Sequence, residues 1–445
     1  MKLSEITATL REIRVSPVKS LGQNFLHDQN LARWVIDQAD ISNGDYVVEI
    51  GPGLGALSEL VTAKGARLLA LEKDGRLARF LRTHIAEKSC EIRHEDAMDF
   101  EVRTLFAQPL VKLIGNLPYY ISSQLLLKFL QWPSPISLAL FMLQKEMAAR
   151  LCARSATKDY GALTLTVQLH YRVEYLRTIP ASVFIPRPEV DSALVRLVPR
   201  GSTELPARDD KTFMEIVRRG FSQRRKQLGN LLGEYVPDWA ATAGALGIDP
   251  RARAETLDLG QWIALTNLIR PIQLPAPGKA AEEVFPVVDE EDRVIGSAPR
   301  PLVHGDNLRH RAVHILIFNS AGEVFLQKRS QWKDRHPLAW DSSAAGHVEA
   351  GEEYDTAAAR ELTEELGITT PLERFAKLPA SERTGQEFIQ VYRGQWDGPI
   401  SFERSEIEAG DYYPSDLVTA WIDARPGNFA PGFVECWKAY LGRDR

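Results

Sequence analysis

Four consecutive residues, Asn116-Leu117-Pro118-Tyr119, have the side chains needed to act on an exocyclic amino group of a base. The lone pair of an adenine NH2 is delocalised into the ring, so the nitrogen is a poor nucleophile. The Asn116 side chain and the Leu117 or Pro118 carbonyl could accept its hydrogens and turn the lone pair toward an electrophile. The Tyr119 ring could stack on the base and stabilise developing positive charge. The same four residues also read as an ordinary strand-to-turn sequence, so their weight depends on what accompanies them. Upstream lies a glycine-rich turn, Glu49-Ile50-Gly51-Pro52-Gly53-Leu54-Gly55, between a predicted strand and a helix predicted over Ala56–Lys64. Glycines let the backbone approach a ligand closely, and a helix start offers free N–H groups. The Gly51-x-Gly53-x-Gly55 spacing differs from the Gly-x-Gly-x-x-Gly of dinucleotide sites. The preceding acid, Glu49, favours a ligand with a positive end over a pyrophosphate. Glu72 closes the second predicted strand, where it could accept hydrogen bonds from both hydroxyls of a ribose. Asp96 follows the third apolar stretch, where a carboxylate can take an adenine amino group.

A second constellation stands far downstream. Gly346 is followed by Glu352 and then by Arg360-Glu361-Leu362-Thr363-Glu364-Glu365-Leu366-Gly367-Ile368. On a helix, Glu361, Glu364 and Glu365 fall at i, i+3 and i+4, so three carboxylates share one face. Such crowding is unfavourable unless a divalent cation neutralises it. Mg2+ or Mn2+ held there can bridge a diphosphate and polarise a water for attack on phosphorus. Arg360 would orient a glutamate or a phosphate, and the Gly346 loop would let a backbone carbonyl join the metal. A glutamate-rich surface helix is the ordinary source of such a segment, but not at this spacing.

Elements that position these residues can be read from the apolar pattern. Tyr46–Ile50, Arg67–Leu71, Leu110–Ile114 and Leu138–Leu143 are predicted strands, and Leu77–Ile85 and Ser123–Leu130 are predicted helices between them. That alternation predicts a doubly wound parallel sheet. Helices are expected over Thr212–Phe221, Arg225–Leu232 and Gln261–Ile269. Further on, strands over Ala312–Phe318 and Glu323–Gln327 precede a long helix over Thr356–Leu366. The proline-rich run Pro271–Ala281 has no apolar periodicity and predicts an extended linker. The expected organisation is a Rossmann-like α/β catalytic domain over 1–205, a small helical RNA-binding subdomain over 206–270, a linker over 271–282 and an α/β/α domain over 283–445.

A chain of 445 residues is too long for one core. Its 44% hydrophobic and 25% charged content is that of a soluble globular protein, and no apolar run is long enough to span a bilayer. The N-terminus lacks a signal-peptide pattern. Cys90, Cys152 and Cys436 are far apart and without metal spacing, so a reduced, cytoplasmic setting is expected and no membrane partner. Residues 1–270 carry 35 Lys+Arg against 30 Asp+Glu, a net +5, whereas residues 271–445 carry 19 against 29, a net −10. Only the first part is therefore suited to meet a polyanion.

Over nearly all of residues 10–270 the chain resembles the S-adenosylmethionine-dependent ribosomal-RNA adenine N6-dimethyltransferases. The resemblance rests on Ser20-Leu21-Gly22-Gln23-Asn24-Phe25-Leu26, Glu49–Gly55, Glu95-Asp96-Ala97 and Gly115–Tyr119. It continues through Phe141–Glu146, Phe184-Ile185-Pro186-Arg187-Pro188-Glu189-Val190-Asp191-Ser192 and Phe221–Lys226. The resemblance implies a S-adenosyl-L-methionine site closed by Asn24 and Leu26 and completed by Gly51, Gly53, Glu72, Asp96 and Asn116. It implies Phe184 as the second wall of a base sandwich opposite Tyr119. The implied partner is small-subunit ribosomal RNA or the immature small subunit, with two adjacent adenines near the RNA 3′ end as target. A large-subunit adenine methyltransferase, or an assembly factor that mainly binds the small subunit, is the alternative. RNA binding is expected to draw on Arg11, Arg14, Lys19, Arg218, Arg219, Arg224, Arg225 and Lys226 through phosphate contacts. For Arg218 and Arg219 a solvated helix face reads equally well.

Residues 346–368 match the Nudix box throughout, and the segment from about 283 onward resembles a Nudix hydrolase. That implies a metal site from Gly346, Glu361, Glu364 and Glu365, and a diphosphate-containing small molecule as substrate. Val287–Glu290, Arg300, His304 and His310–His314 further resemble the subgroup related to isopentenyl diphosphate isomerase. That isomerase relies on a cysteine ahead of the box. The comparable stretch here, His336–Ser343, has none, so diphosphate hydrolysis is expected rather than isomerisation.

Overall fold

Leucine- and β-branched-rich runs too apolar to face water on either side build the centre of the first sheet. A computed structural model describes residues 3–17, 22–85, 89–272 and 282–443. They divide into two compact units, Met1–Arg270 and Pro271–Arg445. Most of the predicted linker, together with Lys19, Ser20 and Leu21, lies outside the described residues.

In the first unit a seven-stranded sheet runs in the order Cys90–His94, Arg67–Glu72, Tyr46–Ile50, Val111–Asn116, Ile136–Gln144, Ser192–Pro199, Tyr171–Ile179. The first five strands are parallel. Ser192–Pro199 runs antiparallel to both its neighbours, Ile136–Gln144 and Tyr171–Ile179, which corrects the expectation of a wholly parallel sheet. Alternate residues feed cores on both faces: Val48, Leu69 and Leu113 on one, Val47, Leu68 and Ile114 on the other. Strand order reverses between Tyr46–Ile50 and Val111–Asn116, and a ligand crevice is expected at the carboxyl ends there. Their register pairs Ile50 with Gly115, so Gly51 and Asn116 leave the sheet side by side. A Cβ on Gly115 would stand 2.8 Å from the Ile50 carbonyl oxygen, so only glycine lets the two strand ends approach this closely.

The helical segment is less separate than expected. Phe213, Ile216, Leu228 and Trp262 share a core with Tyr160, Leu165 and Leu169 from the preceding part of the chain. The helix predicted over Arg225–Leu232 is only Leu228–Leu232, because the Lys226 N–H donates to the Gln223 carbonyl and closes a turn.

In the second unit, Glu323–Arg329, His310–Phe318, Glu387–Gln395 and Glu373–Leu378 are successive strands, with Trp340–Asp341 on one edge. Ala344–His347 pairs with His310–Phe318, and Ile407–Pro414 with Glu323–Arg329. Val313, Ile315 and Ile317 pack toward the helix Tyr354–Leu366. His314, on the opposite face, packs toward Gly432 of the helix Pro431–Arg443. The sheet thus lies between helices, as the α/β/α expectation requires. Among the described residues no helix is long and apolar enough to cross a membrane.

Candidate functional site

The crevice at the reversal point is a cleft whose lining includes Asn24, Leu26, Glu49, Gly51, Gly53 and Glu72. Asp96, Asn116 and Pro118 line it too. Gly51 and Gly53 have φ of 66° and 61°, left-handed values that disfavour any side chain, and a Cβ on Gly53 would meet the Phe25 ring at 3.0 Å. Glu72 accepts from the Gly53 N–H at 3.1 Å and from the Asp74 N–H at 2.8 Å, which ties the glycine turn to the neighbouring strand. Burial pushes the carboxyls of both Glu72 and Glu49 up to about 7. Glu49 accepts from the Ser58 hydroxyl at 2.6 Å. Buried acids held this way suit a ligand that brings hydroxyl donors and positive charge, which is what S-adenosylmethionine would present.

Asn116 ends its strand with its side-chain amide donating to the Asn24 carbonyl at 2.9 Å. Only the NH2 can donate to a carbonyl, so the orientation is fixed and Oδ1 is left as an acceptor. The Asn24 amide in turn donates to the Gly22 carbonyl at 3.2 Å. Phe25–Leu26 pairs with Phe184–Ile185, bringing this segment over the cleft. Tyr119 is half-buried, and its hydroxyl lies 2.7 Å from that of buried Ser192. Leu117 is buried in the core and its N–H donates to the Met142 carbonyl at 3.1 Å, so its side chain supports the turn from below. Phe184 differs from expectation. It is 3% exposed, packs in the core with Leu26 and Ile179, and is absent from the cleft lining, as are Leu117 and half-buried Tyr119. Here it positions Leu26 and offers no open stacking face.

Lys73 and Tyr120, to which the sequence reading gave no role, also line the cleft. The Lys73 ammonium is 2.6 Å from Asp96, whose other oxygen accepts from the Met98 N–H at 2.9 Å. Burial would raise the Asp96 carboxyl, but Lys73 and the Met98 N–H hold it below the usual range. Tyr120 is 53% exposed at the mouth. Each adjoins a residue the pattern had singled out, and that adjacency was the signal available.

In the second unit the carboxylates lie along Tyr354–Leu366. A Cβ on Gly346 would fall 2.0 Å from the Glu361 carboxyl carbon, so the glycine is there because a carboxylate lies against its backbone. Glu365 accepts from Gln327 Nε2 at 2.9 Å and from the Ala345 N–H at 3.1 Å, with Lys333 Nζ at 3.4 Å. Arg360 clamps Glu352 with two bonds of 3.0 Å and donates to the His347 carbonyl at 3.1 Å. It also bridges Glu361 at 2.8 Å and Glu364 at 3.2 Å. Helical spacing put three carboxylates on one face; the structure adds a guanidinium standing between two of them. Burial, and then the neighbouring Glu365 charge, push the Glu361 carboxyl up to about 8. Burial is the larger cause; it is the convergence of Glu361, Glu364 and Glu365 on one helix face, with Gly346 against Glu361, that a divalent cation fits.

The ribosomal RNA adenine dimethylase model matches residues 16–270, and the NUDIX domain model matches residues 308–431. The chain belongs to the ribosomal RNA adenine dimethylase family. It also carries a Nudix domain. Ribosomal RNA small subunit methyltransferase A of Geobacillus kaustophilus is 40% identical over 267 residues, covering 57% of this chain and 91% of that protein. The protein of the same name from Bacillus cytotoxicus is 37% identical over 266 residues, with the same coverage. A crystal structure of a Plasmodium falciparum dimethyladenosine transferase is 24% identical and covers 54% of this chain and 95% of that chain at a TM-score of 0.46. A crystal structure from Deinococcus radiodurans is 29% identical, covering 36% and 98% at 0.31.

A dimethylase of this family implies S-adenosylmethionine and a ribosomal RNA substrate, and the Nudix domain implies a divalent metal and a nucleotide-type substrate. The structure divides the expected RNA-binding cations. Arg11, Arg14, Arg218, Arg219, Arg225 and Lys226 are exposed. Arg219 donates to the Leu231 carbonyl at 3.1 Å, and Arg224 is 2.8 Å from Glu255. Lys19 lies outside the described residues.

Proposed function

We propose that the first unit dimethylates N6 of two adjacent adenines near the 3′ end of small-subunit ribosomal RNA, on the immature subunit in the cytoplasm. The second unit, in this reading, hydrolyses a nucleoside-diphosphate-type small molecule with Mg2+ or Mn2+. The observation that carries the first part is the emergence of Gly51 and Asn116 side by side over a cleft holding two buried acids.

S-adenosylmethionine, when bound, supplies an electrophilic methyl group. Gly51, Gly53, Glu72 and Asp96 would hold it, with Asn24 and Leu26 closing above. Asn116 Oδ1 accepts a hydrogen from the target amino group and, with the Pro118 carbonyl, turns the lone pair toward that methyl. The target base has to leave its stack to reach the cleft. Tyr119, half-buried next to the cleft-lining Pro118 and Tyr120 with its hydroxyl on Ser192, would stack on the base once it enters. No general base is required, because the amine becomes acidic only after accepting the methyl and solvent can take the proton. In the Nudix domain a divalent cation, when bound, neutralises the diphosphate and lowers the pKa of a water. Glu361, Glu364, Glu365 and the Gly346 carbonyl would hold it, and Arg360 keeps Glu361 and Glu352 in place.

The test is methyl transfer from labelled S-adenosylmethionine to unmethylated small and large subunits in parallel, followed by nucleoside analysis. N6,N6-dimethyladenosine in small-subunit RNA alone is the expected result. Label in the large subunit instead would move the substrate to the other subunit, and label in neither would favour a binding role.

A further inference from the structure

Among the described residues that line the first unit's cleft, Lys73 is the one basic side chain, set among Glu49, Glu72, Glu95 and Asp96. A cation in a cleft suited to a positive ligand works against that ligand unless its charge is spent elsewhere. The register shows where it goes. Glu72 pairs with His94 of the neighbouring strand, and the Glu95 N–H donates to the Glu72 carbonyl at 3.0 Å. Lys73 and Asp96 therefore leave the sheet across from each other. The Lys73 ammonium stands 2.6 Å from Asp96 Oδ2, and the Met98 N–H donates to Oδ1 at 2.9 Å. Both oxygens are fixed in direction, and each keeps capacity to accept a further hydrogen.

Solvent reaches half of the Lys73 side chain, and an ion pair that open adds little to folding. Its consequence falls on the carboxylate. Asp96 is the acid read above as the acceptor for the adenine amino group, and only an ionised carboxylate accepts without competition from its own proton. Burial pushes Asp96 up, as it pushes Glu49 and Glu72 to about 7, but Lys73 and the Met98 N–H outweigh it. The other charged or titratable groups around the pair are Glu95, Asp99, the Tyr120 hydroxyl and Lys128, whose ammonium donates to the Met98 carbonyl at 2.6 Å.

We infer that Lys73 is a positioning residue for the adenine end of the cofactor, its ammonium clamping the Asp96 carboxylate in the direction from which it receives the adenine amino group. The inference rests on the reading of this cleft as an S-adenosylmethionine site. Lys73 acts through Asp96 and sets the affinity for S-adenosyl ligands without taking part in methyl transfer. Released from the lysine, Asp96 is free to turn toward solvent and takes a proton at a higher pH.

The test is calorimetric binding of S-adenosylhomocysteine to the full chain, without RNA, from about pH 5 to about pH 8. This ligand is neutral at sulfur, which separates the adenine end from the acids that favour a positive one. Lys73→Met keeps the stem and removes the charge. Its affinity should be about fivefold lower at pH 8 and about fiftyfold lower at pH 5, because the unclamped carboxyl protonates earlier as pH falls. Glu49 and Glu72 titrate in both proteins, so the ratio of the two affinities at each pH isolates Asp96. Lys73→Arg should match the unaltered chain. In an Asp96→Asn background, Lys73→Met should change affinity by less than about twofold. Should Lys73→Met fail to fold by circular dichroism, Lys73→Gln takes its place. A ratio that does not change with pH, a gain in affinity showing that Lys73 competes with the ligand for Asp96, or an undiminished effect in the Asp96→Asn background would overturn the inference. No binding by the unaltered chain would instead overturn the cofactor reading beneath it, and the inference with it.

Discussion

The two sites hold buried acids at raised pKa, but they are assembled in opposite ways. In the methyltransferase cleft, Gly51, Glu72, Asp96 and Asn116 come from four strand ends scattered along the chain and meet only because the sheet reverses its order there. In the Nudix domain, Glu361, Glu364 and Glu365 come from one helix and need only its pitch. Relief of the acids differs as well. Glu72 receives two backbone N–H groups, whereas Glu361 has a bridging arginine and crowding carboxylates. A site built from strand ends carries its own donors. A site built on one helix leaves a charge deficit for an ion.

The largest effects should separate the two halves cleanly. Asn116→Ala is expected to lower methyl transfer by about a thousandfold or more while leaving Mg2+-dependent diphosphate hydrolysis unchanged. Glu361→Gln should do the converse by a similar factor. Assaying both reactions on both variants is the check, and cross-inhibition would show that the halves are not independent.

The glycines sharpen the comparison. Gly346→Ala drives a Cβ into the Glu361 carboxylate, so hydrolysis should fall nearly as far as in Glu361→Gln, with about 1–3 kcal/mol of lost stability. Gly53→Ala meets the edge of the Phe25 ring at 3.0 Å and adopts a left-handed φ costing about 1–2 kcal/mol. Its expected signature is weaker S-adenosylmethionine binding with kcat less affected, measured by calorimetry and steady-state kinetics.

Proton linkage gives smaller, graded effects. Glu49 and Glu72 rise from 4.5 to about 7 on folding, so the folded state binds the extra protons between those values. Their contribution is complete at acid pH and is lost as pH rises through about 7. The unliganded methyltransferase unit should therefore melt lower at pH 8 than at pH 6. Glu361, raised to about 8, gives the same sign in the Nudix domain, but there Mg2+ should recover the loss at pH 8.5 and have little effect at pH 6. Melting each half with and without Mg2+ tests the contrast. Smallest of all, Arg225→Ala and Lys226→Ala should each reduce the salt slope of RNA binding by about one ion. Glu255→Ala should change stability by no more than about 1 kcal/mol, because its partner Arg224 is largely exposed.

Much of this was legible beforehand, for local reasons. The Tyr46–Ile50 strand has the predicted bounds, and the helix over Thr356–Leu366 begins only two residues earlier, at Tyr354, because both follow a strong apolar period. What was not legible depends on partners remote in sequence. Phe184 reads as a stacking ring from its motif, but pairing with the Phe25–Leu26 strand buries it. Lys73 carries no signal of its own in the sequence, and only the fold sets Asp96 beside it. Helical pitch predicted three converging carboxylates, yet Gln327 and Lys333, from another strand and its following loop, decide where Glu365 points.

By itself the sequence determined both chemistries and their division, since residue types and short spacings survive any packing: Asn-Leu-Pro-Tyr, the glycine turn, the Glu361–Glu365 face and the charge difference between the halves. Only the tertiary structure decided the antiparallel edge of the first sheet, the burial that raises Glu49, Glu72 and Glu361, and the meeting of Lys73 with Asp96. Each of these is a contact between segments far apart along the chain. Burial, register and electrostatic coupling are properties of what folding brings near, and no local pattern encodes them.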